Sequence, residues 1–146
     1  MAHQKNIEPL VFDSNFFVGL FNVDDTLHQR AINLVNLIAE RRVIISNLLF
    51  AEVITVLAQR SDWQLAAEVG NYLLSSDLIQ IIYLDELLQR RAWEIFIKAN
   101  NKNISFVDCS TMALMEAEGI HELVTFDVTD FKKLQKIYRF QVIKSL

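Results

Sequence analysis

Proline occurs once in these 146 residues, cysteine once and glycine three times. So few chain breakers exclude a loop-rich or collagen-like chain and favour long regular elements. A lone thiol, Cys109, cannot close a disulfide within the chain, which points to a reducing compartment. With no histidine near it in sequence, it reads as a buried structural thiol rather than a nucleophile. His3, His28 and His121 are scattered and offer no zinc-type spacing. No apolar run approaches the roughly 20 residues of a membrane span. The opening Met1-Ala2-His3-Gln4-Lys5-Asn6 lacks the apolar core of a signal peptide. A soluble cytoplasmic protein with no membrane contact is the expectation. The net charge of −4 argues against a broad nucleic-acid-binding surface and leaves room only for a local basic patch.

What is present is apolar. Hydrophobic residues make up 52% and charged residues 22%, the balance of a globular chain. A length of 146 residues fits one domain over 1–146, able to bury about two-thirds of its unfolded surface. No repeat, low-complexity tract or linker interrupts it. Short apolar runs at 8–12, 43–45, 79–84, 122–125 and 140–143 read as strands. Helical patterns are expected over about 15–21, 27–40, 48–59, 62–74, 86–99, 106–118 and 131–136. Thr26 with Gln29 and Ser61 with Gln64 form capping-box patterns. Ser46 or Asn47, Asp85 and Asp130 are further N-cap candidates, and Gly119 is a natural helix stop. Trp63 and Trp93 lie in helical patterns and are expected in a core or an interface. Strands alternating with helices predict an α/β fold.

Four carboxylates interrupt the apolar runs: Asp13, Glu52, Asp108 and Asp127. A carboxylate facing a core is costly unless it is paired, hydrogen-bonded or bound to a cation. Each has a plain alternative. Asp13 and Asp127 end strands and could simply cap helices. Ser105 to Asp108 fits a capping box. Glu52 shares a helix face with Leu48, Leu49, Val53 and Val56, and could pair with an arginine. Taken together, four such acids point to a gathered site. Oxygen ligands without His or Cys suit Mg²⁺ or Mn²⁺. Such a cation polarises a phosphoryl oxygen and activates water, so phosphodiester hydrolysis is the natural chemistry.

Four segments then carry a resemblance over about residues 10–143. They are Val11-Phe12-Asp13-Ser14-Asn15-Phe16, Ile45-Ser46-Asn47-Leu48-Leu49-Phe50-Ala51-Glu52-Val53, Ser105-Phe106-Val107-Asp108-Cys109, and Leu123-Val124-Thr125-Phe126-Asp127 with Asp130-Phe131. The chain resembles PIN-domain ribonucleases, and within them the VapC-type toxins of toxin–antitoxin pairs. The resemblance implies a three-layer α/β/α sandwich around a mainly parallel sheet of four or five strands. It implies Mg²⁺- or Mn²⁺-dependent endoribonuclease activity, an RNA substrate, an antitoxin partner and a homodimer. Asp13, Glu52 and Asp108 match the core acids. Asp127 matches the fourth, with Asp130 near enough to substitute as a metal ligand. Asn15, Ser46 and Thr125 match polar positions that support them.

The chain is less basic than such toxins often are. Lys132, Lys133, Lys136, Arg139 and Lys144 form a run without acids and are a candidate RNA path, with Arg41 and Arg42 as a second. The other reading of that run is a solvated helix face. A mean hydropathy of +0.23 suits a partner surface. Two other functions compete: a PIN-like module that binds RNA or protein without cutting, and a phosphatase with Asp13 as nucleophile. Asn15 stands where the latter needs a second acid.

Overall fold

The computed structural model describes residues 8–143. The order of elements is β1 (Leu10–Phe12), α1 (Ser14–Phe21), α2 (His28–Leu37), β2 (Val43–Ser46), α3 (Asn47–Arg60), α4 (Trp63–Ser75), β3 (Ile79–Ile82), α5 (Glu86–Ala99), α6 (Phe106–Glu118), β4 (Glu122–Val124), α7 (Val128–Leu134) and β5 (Gln141–Ile143). The five strands form one sheet in the order β3-β2-β1-β4-β5, and every pairing is parallel. His3, Lys144 and the opening six residues lie outside the described residues.

Three layers follow from strand geometry. Successive side chains of a strand face opposite sides of the sheet. β1 therefore sends Leu10 and Phe12 into one core and Val11 into the other. β2 divides in the same way, with Val43 and Ile45 against Ile44, and β4 with Val124 against Leu123. The first core is closed by α1 to α4 through Phe16, Phe17, Leu34, Val53 and Leu73. The second is closed by α5, α6 and α7 through Ile95, Met112, Leu114 and Phe131. A sheet covered on both faces explains why its strands read as continuous apolar runs.

Helix ends mostly obey the sequence. Ser46 caps α3 by accepting the Leu49 N–H at 3.0 Å, and Asp85 caps α5 by accepting that of Leu88 at 2.9 Å. Gly119 closes α6 at φ 65°, a conformation glycine adopts without strain. Three expected caps are corrected. Thr26 does not cap α2; Asp25 accepts the Leu27 N–H at 2.8 Å in a turn, and the helix starts at His28. Ser61 does not cap α4; Asp62 accepts the Leu65 N–H at 2.7 Å. Asp130 lies inside α7, whose cap is Asp127. In each case another carboxylate takes the turn, as expected where a negative acceptor meets a helix N-terminus. Trp63 and Trp93 are 77% and 55% exposed, so neither belongs to the core.

Strand order reverses at β1, where the chain's connections diverge to β2 on one side and β4 on the other. Open α/β sheets form their crevice beyond the carboxyl ends of the strands at such a point. Phe16 anchors the floor of that crevice. It is fully buried and packs edge-on to Phe12 at 4.6 Å and against Phe126 at 5.8 Å. Phe16→Ala is expected to destabilise the fold by about 3–5 kcal/mol. Urea denaturation should show a lower midpoint at unchanged slope.

Candidate active site

The parallel register of β1 and β4 pairs Val11 with Leu123 and Phe12 with Val124. One step further, Asp13 stands opposite Thr125. The Asp13 N–H donates to the Val124 carbonyl at 2.9 Å, so the ladder continues into the site. The Thr125 hydroxyl donates to Asp13 Oδ2 at 2.8 Å and accepts the Asp127 N–H at 2.9 Å. Asp13 Oδ1 accepts the Ser14 N–H at 2.8 Å as the cap of α1. Asn15 Oδ1 accepts the Phe126 N–H at 3.2 Å, tying α1 to the turn after β4. Asp13 and Thr125 are both buried.

Asp108 arrives from the other core. Its capping box is formed: Asp108 Oδ2 accepts the Ser105 N–H, and Ser105 Oγ accepts the Asp108 N–H, each at 3.0 Å. The cap does not remove it from the cluster, because it still acts electrostatically on Asp13. Glu52, in the second turn of α3, is half-buried, with no hydrogen bond or ion pair among the described residues. The arginine partner that would have made it structural is not found there.

The carboxylates sense one another unequally. Burial raises Asp13 to about 7, and the charges of Asp108 and Glu52 add to the rise against the Thr125 and Ser14 hydrogen bonds. Burial likewise raises Asp108 to about 6, aided by Glu52 and Asp127 and opposed by the Ser105 bonds. Asp13, Glu52 and Asp108 thus form a mutually repelling triangle. Asp127 joins through Asp108, and its own carboxyl is raised by burial and by Asp130. Asp130 acts on Asp127 and lies 3.7 Å from the Lys133 ammonium.

The donor set is oxygen only, buried at Asp13 and half-buried at Glu52 and Asp108, and without a cationic side chain on these three central acids among the described residues. A hard divalent cation fits that chemistry. Among the described residues no three of these side chains close into a finished cage.

The remaining candidates separate. Ser46 is buried and serves α3 as its cap. Lys132 and Lys133 lie in the last turn of α7, while the Arg139 carbonyl contacts His121 at the start of β4, toward the opposite end of the sheet. Arg41 pairs with Glu122 and Arg42 with Gln80, again at strand starts away from the acids. Cys109 is fully buried and its thiol is pushed up to about 11 by burial and by Asp108, consistent with an inert role. One contact escaped the sequence: Arg30 of α2 lies over the Phe126 ring, 5.0 Å from its centroid. No spacing rule could have paired residues so far apart.

Fold and site together define a doubly wound α/β domain with an acidic cluster at its switch point. The PIN domain family matches residues 10–137, and the chain belongs to that family. It is 27% identical over 117 residues to the 23S rRNA-specific endonuclease VapC20 of Mycobacterium tuberculosis, covering 79% of this chain and 86% of that protein. The crystal structure of that Sarcin-Ricin loop cleaving toxin superposes with a TM-score of 0.77 at 24% identity, over 84% of this chain and 93% of the other. The Rickettsia felis VapBC2 structure, bound to a promoter DNA fragment, shares the fold with a TM-score of 0.67 at 17% identity, over 95% and 100%. FitAcB from Neisseria gonorrhoeae gives 0.67 at 17% identity, over 92% and 96%.

The raised carboxyls carry a stability consequence. The unfolded chain releases the protons of Asp13 and Asp108 near 3.8, whereas the fold holds them to about 7 and 6. Their contribution is therefore fully present below the unfolded value and lost as pH rises through the folded ones. Chelator-treated protein is expected to lose stability between about pH 4 and pH 7, and Asp13→Asn to flatten that loss. Urea unfolding at pH 5 and pH 8 checks it; a wild-type gain in stability at the higher pH would contradict the assignment.

Proposed function

We propose that this chain is a metal-dependent endoribonuclease that hydrolyses RNA phosphodiester bonds and acts as a toxin held by an antitoxin protein. The observation that carries the reading is the triangle of Asp13, Glu52 and Asp108, set on a PIN fold without a cationic partner among the described residues. The sequence relative named as an rRNA endonuclease supports RNA as substrate, and the toxin–antitoxin neighbours support a protein partner.

Asp13 and Asp108 are the leading ligands for Mg²⁺ or Mn²⁺, with Glu52 and Asp127 completing the acidic wall. A bound divalent cation supplies polarisation of a phosphoryl oxygen and a lowered water pKa. The chain's own residues set the stage for that chemistry. Thr125 and the Ser14 N–H fix both oxygens of Asp13 and hold its charged form against burial. Glu52, which has no hydrogen bond or ion pair among the described residues, is the candidate to accept a proton from water or to hold the cation. Asp127 is the better fourth acid, since it alone of the Asp127–Asp130 pair is sensed by Asp108. Exposed apolar residues along α5, Leu87, Trp93 and Ile97, suit the expected second copy.

Cleavage of a structured RNA with Mg²⁺ or Mn²⁺ tests the function. Activity should vanish with EDTA, and Asp13→Asn should lower it by about a hundred- to a thousandfold, the scale of losing one preorganised electrostatic contact. Activity surviving both treatments would overturn the mechanism. Thr125→Val should weaken Mn²⁺ binding by about ten- to a hundredfold, the usual effect of removing a residue that orients a ligand. Calorimetric titration reads that loss directly, and unchanged affinity would separate Thr125 from the site.

A further inference from the structure

Six polar or charged side chains are buried among the described residues: Asp13, Asn22, Ser46, Ser110, Thr111 and Thr125. Burying a polar group is costly unless a hydrogen bond offsets it. Five of the six have one. Thr125 donates to Asp13, Asn22 accepts the Asp24 N–H at 3.2 Å, Ser46 caps α3, and Ser110 donates to the Val107 carbonyl at 2.7 Å. Thr111 is the exception. It is 2% exposed, and its hydroxyl has no partner among the described residues. A helical hydroxyl commonly relieves this by bonding to a carbonyl one turn back, the route Ser110 takes. Thr111 does not take it.

Two observations give the direction of that hydroxyl. Among the described residues no side-chain oxygen or nitrogen is both sealed from solvent and without a hydrogen bond. The small exposed part of Thr111 therefore includes its hydroxyl oxygen. The other observation is helix geometry. Thr111 stands three residues after Asp108 and four after Val107, so the three share a face of α6. A helical side chain leans back over the preceding turn, which here carries Asp108. On that face Val107 packs against the first core, and α6 packs against β2 and against α3, the helix of Glu52. The hydroxyl of Thr111 thus opens into the crevice on its Asp108 wall.

A phosphodiester held at the acids brings non-bridging oxygens that need hydrogen-bond donors. Ionised carboxylates only accept, and the Thr125 hydroxyl already gives its proton to Asp13. We propose that the Thr111 hydroxyl donates to a phosphate oxygen of the RNA held at the acids, which makes Thr111 a substrate-binding residue of the site. This rests on the ribonuclease reading and deepens it. The bond that the fold withholds from this buried hydroxyl is made by the substrate, so its desolvation cost is offset only in the complex.

The test uses full-length protein carrying Asp13→Asn, a fluorescent single-stranded RNA and anisotropy across a KCl series with Mn²⁺ present. Thr111→Val keeps the shape of the side chain and removes the hydroxyl. It should weaken binding about tenfold, the scale of one hydrogen bond to a charged group. The slope of log affinity against log salt should not change, because no charge is lost. The melting temperature should match or exceed that of the parent, since a buried hydroxyl without a partner gives way to a methyl group. Thr111→Ser, which keeps the hydroxyl, should bind like the parent. So should Ser110→Ala, whose hydroxyl is spent inside the helix. Unchanged affinity in Thr111→Val would overturn the proposal, as would a lowered melting temperature or an equal loss in Thr111→Ser. Calorimetry with Mn²⁺ alone adds a further check. A matching loss of Mn²⁺ affinity in Thr111→Val would assign the hydroxyl to the cation and overturn its assignment to RNA. If binding depends on Thr111 while the wild type cuts no RNA, the cleavage reading fails and this one stands. If the wild type cuts RNA and Thr111→Val binds it equally well, the reverse holds. RNA bound by no variant overturns the proposal as well.

Discussion

The hydrogen bond from the Thr125 hydroxyl to Asp13 holds the arrangement together. It joins the ends of β1 and β4 at the one place where the sheet's connections diverge. Its geometry is dictated by the register of two parallel strands, which sets residue 13 opposite residue 125. The same hydroxyl accepts the Asp127 N–H, so a single oxygen fixes the start of α7 and the carboxylate of Asp13. Without it, burial and neighbouring charge would push Asp13 further toward its neutral form, which binds cations poorly.

Around that bond three acids gather with no cationic side chain paired to them among the described residues. Asp13 is held by a strand end, Glu52 by the second turn of α3 and Asp108 by the first turn of α6. These elements are fixed by two separate apolar cores. The cores hold the acids where they are, so burial first and mutual repulsion second appear as raised carboxyl pKa values. Stability and function oppose each other at this site, as is usual where charged groups are preorganised for chemistry.

Much of this was legible in the sequence. Continuous apolar runs gave the strands because both faces of a parallel sheet are buried, and Glu52 stood out because it breaks an apolar helical stripe. The helix caps were less legible. Thr26 and Ser61 each head a pattern with glutamine three residues on, yet Asp25 and Asp62 beside them offer a charged acceptor. Neighbouring side chains compete for the same backbone N–H groups, and spacing does not encode which of them wins. Asp127 and Asp130 were ambiguous for the same reason, both being acids within reach of one helix start. The Arg30–Phe126 stack was not legible at all, since it depends on how α2 lies across the turn after β4.

Capping and catalysis are not competing explanations for these acids. Asp13 caps α1, Asp108 completes the box of α6 and Asp127 caps α7, yet all three also face the cluster. A capping carboxylate uses one oxygen on backbone N–H groups and keeps lone pairs for a second partner. Helix N-termini also favour negative charge, which offsets part of the cost of crowding acids together. A fold that starts three helices at one crevice can therefore concentrate carboxylates there more cheaply than anywhere else on its surface. Glu52 is the exception that supports this reasoning. It lies beyond the first turn of α3, gains nothing from capping, and has no partner among the described residues.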